Sequence, residues 1–243
     1  MANMIFGRNP VIEALKSGRD MEKILLISSE GSAAKIAAIA KERGIPVMRA
    51  ERKLLDKLSG GSAHQGVCAY TAAYGYSELD DILSKAETAG EEPFLIILDD
   101  IEDPHNLGAI MRTAECAGAH GIIIPKRNAC GLTETVAKTS AGAIEYMPCV
   151  RVTNLVRTIN ELKEQGFWVA ACDMGGTEYY KADLKGKLAV VIGSEGYGLS
   201  KLVKENCDFI VSMPMLGKIT SLNASNAAAV LMYEVRRQRD ERR

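Results

Sequence analysis

Hydrophobic and polar positions along the chain alternate in a pattern typical of strands followed by helices. In the first 74 residues, short apolar runs are separated by amphipathic stretches, which predicts a small α/β unit. A helix is also expected to begin near Pro10, because proline is favoured in the first turn of a helix. The other predicted elements are strands at 23–28, 45–48 and 66–72 and helices at 32–43 and 51–58.

The same alternation returns more strongly at Phe94 and continues to the C terminus. Its strands are almost continuously apolar, which is typical of a parallel sheet covered by helices on both faces. The C-terminal helix contains the apolar run 227–233 and is therefore expected to be buried in the domain or in a subunit interface. The predicted strands are 94–99, 121–125, 167–172, 188–193 and 208–213, and the predicted helices are 107–117, 133–139, 154–165, 199–205 and 224–239.

Between the two units, residues 75–92 form a polar, glycine-containing segment with one possible short helix at 77–87. We interpret this segment as a linker. The predicted domain organisation is therefore a first domain at 1–74, a linker at 75–92 and a second domain at 93–243.

Composition excludes several classes of protein. Hydrophobic residues make up 47% and charged residues 25% of the chain, which argues against a disordered protein or a disulfide scaffold. The longest apolar runs fall far short of the ~20 residues of a membrane helix, and no signal peptide is visible. The six cysteines lack the spacing of metal ligands, so we expect reduced thiols, no metal site and a cytoplasmic protein.

The net charge of −1 conceals an asymmetry along the chain. Residues 1–75 contain 11 Lys and Arg against 7 Asp and Glu, whereas the remainder contains 19 against 24. A basic N-terminal part is compatible with nucleic-acid binding. A chance distribution of surface charge explains the same numbers equally well.

Three loops that follow predicted strands carry the candidate chemistry, since ligands of open α/β sheets bind at the carboxyl ends of strands. In the first loop, Asn106 is a predicted N-cap for a helix that begins at Leu107, and Arg112 lies within that helix. An arginine near a helix N-terminus can hold a phosphate, although a solvated helix residue explains Arg112 as well. The second loop, 193–202, is rich in glycine and contains Glu195, but a plain tight turn is an equal alternative.

The third loop contains Ser221 and Asn223 just before the apolar C-terminal helix, and helix capping accounts for one of the two. No pairing of Ser, His and Asp or of Cys and His is apparent. The three histidines are expected to be surface or structural residues. The residues alone therefore indicate an α/β domain whose polar cleft holds Arg, Glu, Asn and Ser, joined to a basic α/β module.

In order and spacing, these loops resemble the three signature motifs of the SpoU (TrmH) family of SPOUT-class RNA 2′-O-ribose methyltransferases. The motifs are DPHNLGAIMRTA, VVIGSEGYGLS and SMPMLGKITSLNASNAAAVLMYE, and the resemblance covers 94–239. The first unit resembles the RNA substrate-binding domain of that family, which is related to ribosomal proteins, through IFGRNPVIEAL at 5–15 and HQGV at 64–67. A two-domain chain is most similar to members of the RlmB type, which methylate a guanosine ribose in 23S rRNA.

The resemblance implies S-adenosylmethionine as cofactor, ribosomal RNA as substrate, a deep trefoil knot in the second domain and a homodimer formed through that domain. It places Gly193, Met213 and Leu222 in the methyl-donor pocket. It also implies a polar active site, in which Arg112 would orient the target phosphate and stabilise oxyanion charge and Glu195 would hold Arg112 or the ribose. The implied active-site residues are Asn106, Arg112, Glu195, Ser221 and Asn223.

Three other functions remain open from the sequence. A guanosine 2′-O-methyltransferase of the same family could act on tRNA, although such enzymes usually lack the N-terminal module. A non-catalytic RNA-binding protein is disfavoured by the intact active-site set. A nucleotide-dependent dehydrogenase is disfavoured because no GxGxxG with a downstream acidic residue follows the first strand of the second domain.

Overall fold

The computed structural model of the chain describes residues 4–16, 18–28, 30–71 and 74–241. Its contacts divide the chain into two units, one formed by residues 1–75 and 131–134 and the other by residues 76–130 and 135–243. Each unit has a buried apolar core of its own. Within the described ranges, no helix combines the length and the apolar character needed to cross a bilayer.

The described part of the first unit consists of strands and helices in the following order: β1 Met4–Phe6, α1 Arg8–Lys16, β2 Met21–Leu26, α2 Ser32–Glu42, β3 Val47–Arg49, α3 Arg52–Ser59 and β4 Val67–Thr71. The strands form one sheet in the order β1-β4-β2-β3. Strand β4 is antiparallel to β1 and β2, and β2 is parallel to β3. Ile24 of β2 is buried in the cluster that contains residues of α1 and α2, whereas Leu25 is clustered with Leu55 of α3. Consecutive residues of this central strand thus pack on opposite faces of the sheet.

Strand β1 was not among the predicted strands, because a run of three residues gives almost no periodic signal. It pairs with β4, and Gly7 then turns the chain into α1 with φ +93°. At this turn the Arg8 backbone N–H donates to Gln65 Oε1 and its Nε donates to the Gln65 carbonyl, both at 3.0 Å. The two sequence marks at 5–15 and 64–67 therefore meet in space.

The second unit contains six strands, six α-helices and one 3₁₀ turn within its described residues. They are α4 Leu79–Ala89, β5 Phe94–Leu98, α5 Pro104–Cys116, β6 Gly121–Pro125, α6 Glu134–Thr139, the 3₁₀ turn Ala143–Glu145, β7 Cys149–Val152, α7 Leu155–Glu164, β8 Trp168–Glu178, β9 Leu188–Ile192, α8 Lys201–Asn206, β10 Phe209–Ser212 and α9 Ala224–Asp240. The strand order is β10-β8-β9-β5-β6-β7, and all neighbours are parallel. Every residue of β5 and β9 is buried, which explains their continuous apolar runs. The α/β class with a parallel sheet is confirmed; the trefoil knot stays a prediction.

Two elements of this unit differ from the predicted set. The segment 75–92, for which a linker is expected, contains α4, and Ile82 of this helix is fully buried in the core of the second unit. A capping box between Glu78 and Asp81 begins the helix. Strand β7 was not predicted, because it is a short edge strand interrupted by Arg151.

Candidate functional site

A cavity of about 300 Å³ lies beyond the carboxyl ends of β9 and β10 in the second unit, beside residues 172–174 in the middle of β8. The three residues predicted for the donor pocket, Gly193, Met213 and Leu222, all line it, as do Glu195 and Ser221. Asn106, Arg112 and Asn223 do not. The complete lining consists of residues 172–174, 192–198, 213, 215, 220–222, 224 and 227.

Beside this cavity, side chains from the three motifs form one hydrogen-bonded network. Glu195 Oε1 accepts from Asn106 Nδ2 at 2.9 Å and, over a shorter distance, from Asn223 Nδ2. Asn223 Nδ2 also donates to Asn106 Oδ1 at 2.9 Å, although the two residues are 117 positions apart. The network fixes one carboxylate oxygen of Glu195 between two amides.

Asn223 has a second role as the N-cap of α9. Its Oδ1 accepts from the backbone N–H groups of Ser225 at 3.0 Å and Asn226 at 3.3 Å. The capping role predicted for one of Ser221 and Asn223 therefore belongs to Asn223. Oδ1 accepts from the helix N–H groups and Nδ2 donates to the network. Exchanging the positions of the amide oxygen and nitrogen would therefore break both sets of hydrogen bonds.

The prediction that Asn106 caps a helix starting at Leu107 is wrong. Helix α5 begins at Pro104, and its cap is Asp103, whose side chain accepts from the His105 N–H at 2.9 Å. Proline fits the first helical position because its ring fixes φ and it lacks the N–H that would need a partner there. Asn106 is thereby free to donate to Glu195.

Arg112 lies outside the network. It is exposed on α5 and has no hydrogen-bond or ion-pair partner among the described residues. Six residues separate it from Asn106, which corresponds to about 9 Å along the helix and to a different face. Within a single chain Glu195 and Arg112 thus form no ion pair, and the expected roles of both residues stay predictions. Ser221 lines the cavity without joining the network.

Gly193 is required by the shape of its own loop. An added Cβ would lie 2.6 Å from the Leu199 nitrogen and closer still to the Gly198 carbonyl group. These backbone atoms approach because Ser194 and Gly198 exchange backbone hydrogen bonds of 3.1 and 2.9 Å. The shape of the loop is thus sufficient by itself to require glycine at this position. At Gly196, by contrast, an added Cβ meets nothing within 4 Å.

Two carboxylates near the site were not singled out from the sequence. Asp99, buried at the end of β5, accepts from the Ser200 N–H at 2.7 Å and so ties the glycine-rich loop to the sheet. Asp173 lines the cavity and forms an ion pair of 2.7 Å with Lys204 of α8. The position of Asp99 directly after an apolar strand was a usable signal; nothing local pointed to Asp173.

The neighbouring thiol of Cys172 also lines the cavity. Burial, with a smaller contribution from Asp173, raises the pKa of Cys172 to about 11. The thiol is therefore protonated at neutral pH and is unsuited to nucleophilic chemistry. In the described part of the chain, no cluster of His, Cys, Asp and Glu is arranged to hold a metal ion.

Comparison with protein families matches both units. Residues 93–233 match the SpoU rRNA methylase family, and residues 4–77 match the RNA 2′-O ribose methyltransferase substrate-binding domain. The chain is 54% identical over 239 residues to YacO of Bacillus subtilis, assigned to the TrmH family of tRNA/rRNA methyltransferases, with 97% of this chain and 96% of the relative covered. A Staphylococcus aureus protein assigned to the same family is 46% identical over 243 residues, covering 98% and 97%.

Solved structures give the same assignment. The SpoU methyltransferase AviRb from Streptomyces viridochromogenes, in complex with AdoMet, has a TM-score of 0.62 and 25% identity, covering 98% of this chain and 90% of that one. An AdoMet-bound rRNA methyltransferase from Sinorhizobium meliloti has a TM-score of 0.61 and 27% identity, covering 96% and 86%. With both domain models and full-length relatives matched, the chain belongs to the SpoU (TrmH) family of methyltransferases.

Proposed function

We propose that the protein transfers a methyl group from S-adenosylmethionine to the 2′-hydroxyl of a ribose, and that its substrate is a guanosine in 23S rRNA. The observation that carries the proposal is the convergence of Asn106, Glu195 and Asn223 beside the cavity lined by Gly193, Met213 and Leu222. The two solved relatives with AdoMet bound support the choice of cofactor. Since the substrate is an RNA of the ribosome, we assign the reaction to the cytoplasm.

The cavity fits this cofactor in size and chemistry. Its volume of about 300 Å³ is at the lower end of the range of small-molecule sites. The side chains of Met213 and Leu222 offer apolar contacts, and the backbone around Gly193 offers polar ones. Glu195 supplies negative charge at the wall, which favours a cationic ligand, whereas the charge of Asp173 is offset by its ion pair with Lys204. When bound there, S-adenosylmethionine supplies an electrophilic methyl group.

Glu195 is the residue of this chain suited to receive the ribose hydroxyl. Its Oε1 is occupied by the two asparagines, whereas its Oε2 has no hydrogen-bond partner among the described residues. The second oxygen can accept a hydrogen bond from the 2′-hydroxyl and take up its proton as the oxygen–methyl bond forms, and the asparagines hold the carboxylate in one orientation. Fixing the nucleophile in this way supplies much of the acceleration of a transfer reaction.

Arg112 is suited to the phosphate of the target nucleotide. Its guanidinium is exposed and unpaired, and such a group keeps its charge and forms paired hydrogen bonds to phosphate oxygens. We assign it to orienting the phosphate and to stabilising charge that develops on the ribose oxygen. A role as a literal base is disfavoured, because arginine is effectively always protonated in proteins.

We also propose that the protein is a homodimer whose interface includes α9. This helix leaves Val230 39% and Tyr233 53% exposed on the stripe that runs from Asn226 to Arg237. Exposed apolar side chains on one helical stripe are typical of a surface that packs against another chain. Sedimentation analysis of the full chain tests this, and Tyr233→Glu should shift a dimer towards monomer.

The proposed reaction is tested with radiolabelled S-adenosylmethionine and RNA from a strain that lacks the gene. We expect label in 23S rRNA as 2′-O-methylguanosine and none in tRNA. Label in tRNA instead would overturn the substrate assignment but not the chemistry. RNA that binds without being methylated would leave the protein in the non-catalytic class.

The first unit is expected to supply RNA affinity but no chemistry, because its charge is basic and it has a core of its own. A chain reduced to residues 76–243 should bind S-adenosylhomocysteine normally yet fail to methylate long rRNA fragments. A reduced chain that methylates rRNA as well as the full protein does would refute this division of labour.

A further inference from the structure

Tyr197 is a largely exposed aromatic side chain at the mouth of the cavity. It lines the cavity and is 96% exposed, so almost none of its ring packs against its own chain. An aromatic ring is costly to leave in water and gives little to the stability of the fold in this position. Because this exposed ring lies at the cavity, its faces are available to a molecule that binds there.

The backbone that carries Tyr197 is held in a closed turn. Ser194 and Gly198 exchange two backbone hydrogen bonds, and Gly198 adopts a φ of +67°. The chain just before the turn is close-packed, as the lack of space for a side chain at Gly193 shows. The ring is thus presented from a defined backbone, and little ordering of the loop is required when a partner binds.

Tyr197 lies two residues after Glu195, and both side chains line the same cavity. The proposed function directs the ribose hydroxyl to Glu195. In a nucleotide, the base is attached to the carbon next to the one that bears the 2′-oxygen. A ribose that reaches Glu195 therefore brings its base to the mouth of the cavity, where Tyr197 is exposed.

We propose that Tyr197 stacks on the base of the target nucleotide and so positions its ribose at Glu195. The proposal rests on the proposed function. Aromatic side chains stack on splayed-out bases in single-stranded RNA, and stacking tolerates any base because each has a π face. Met174, 69% exposed, and Leu222, 40% exposed, lie at the same cavity and extend its apolar rim. Tyr197 is a positioning residue and takes no part in bond making.

The first test compares Tyr197→Ala, Tyr197→Trp and the matched control Tyr146→Ala in the full-length protein. Tyr146 is also exposed, at 71%, but it lies before β7 at the opposite edge of the sheet. Loss of one stacked base should raise the KM for RNA by about 5- to 150-fold in Tyr197→Ala. The dissociation constant for S-adenosylhomocysteine should change far less, Tyr197→Trp should restore RNA binding, and Tyr146→Ala should match the wild type.

The second test detects stacking directly and does not depend on turnover. Trp168 is the single tryptophan, so Tyr197→Trp combined with Trp168→Phe carries one reporter at the cavity. Adding rRNA in the presence of S-adenosylhomocysteine should quench its fluorescence, because the indole stacks on a base. Wild-type Trp168, at the start of β8, should not respond to the same RNA.

Three results would overturn the stacking role: an unchanged KM in Tyr197→Ala, bound RNA without quenching, or conversion of a dimer to monomer by Tyr197→Ala. The last would identify the ring as a contact between copies of the chain. If the wild-type protein methylates no RNA, the proposed function fails, and the quenching measurement still decides whether Tyr197 stacks.

Discussion

Asn223 contributes both to the stability of α9 and to the geometry of the proposed active site, and two substitutions separate these contributions. Its Oδ1 caps the helix through Ser225 and Asn226, while its Nδ2 donates to Asn106 and Glu195. Serine is as good an N-cap as asparagine but has no amide N–H to donate to Glu195. Alanine lacks both groups. Asn223→Ser should therefore lose only the network, and Asn223→Ala should lose the network and the cap.

The magnitudes follow from these contacts. Loss of an N-cap costs about 1 kcal/mol, which lowers the Tm of a protein of this size by about 2–4 °C. Asn223→Ala should therefore melt about 2–4 °C below Asn223→Ser, because both variants lose the bond to Glu195 and only alanine also loses the cap. A hydrogen bond to a charged group contributes about 1.5–3 kcal/mol, so losing the donor to Glu195 should reduce kcat by about 10- to 150-fold in both variants.

Thermal unfolding, methyl transfer to rRNA and calorimetry with S-adenosylhomocysteine measure the three quantities. Since Asn223 does not line the cavity, cofactor affinity should be nearly the same in all three proteins. Equal melting temperatures for the serine and alanine variants would refute the capping role. Full turnover in Asn223→Ser would remove the hydrogen-bonded network from the mechanism.

Three further outcomes follow from single residues. Gly193→Ala should weaken S-adenosylhomocysteine binding, because the added Cβ collides with the Gly198–Leu199 backbone. Gly196→Ala, where the added Cβ has space, should bind S-adenosylhomocysteine normally. Calorimetry on both variants decides whether closure of the loop forms the cavity. Arg112→Ala should reduce turnover about 100-fold and leave cofactor affinity unchanged. Arg112→Lys should not restore turnover, because the planar guanidinium is needed for the phosphate. A fully active Arg112→Ala variant would contradict this role. Burial, followed by Arg239, lowers the pKa of His120 below its usual 6.5, so the unfolded chain binds this proton more tightly. The free energy of unfolding in urea should therefore fall as the pH drops below about 6.5, and it should fall less in His120→Asn.

The parallel sheet of the second unit was predictable because its central strands are buried on both faces. Phe94–Leu98 and Leu188–Ile192 carry no polar residue. Apolar runs this short are typical of strands, because a buried helix needs a longer segment. What escaped prediction was short or half-exposed. Met4–Phe6 and Cys149–Val152 are edge strands of three and four residues, whose pairing depends on a neighbour distant in sequence.

The helix in the supposed linker shows a different cause of error. Helix α4 carries many charged residues, and its buried positions are essentially Ile82 and Ala86. A stripe so narrow gives a weak periodic signal, although it is sufficient to cover one end of the core. The polar residues of 75–92 therefore reflect the exposed face of α4, and the prediction of a linker took them as a sign that the segment has no regular structure.

In the candidate site, local partners were more predictable than distant ones. The cap of α9 was recognised because Asn223 and its partners lie within three residues of each other. The Glu195 network was not derivable from spacing, since its members are separated by 28 to 117 positions. Only the resemblance to a family grouped them. The cap of α5 was predicted at the wrong residue, because Asp103 and Asn106 are both good capping residues. Pro104 favours Asp103, since proline fits the first position of the helix.

The segment between β10 and α9 explains why the cavity and the polar network occur together. Strand β10 is an edge strand separated from β5 by β8 and β9, yet Asn223 at the end of this segment bonds to Asn106 at the start of α5. Three strand spacings amount to about 14 Å, which residues 213–223 can cross with length to spare. Met213, Ser221 and Leu222 of this segment line the cavity together with residues 172–174 of β8 and the loop that follows β9. This one segment thus forms a wall of the cavity and carries the amide that holds Glu195, so a change in its length should disturb the cavity and the network together.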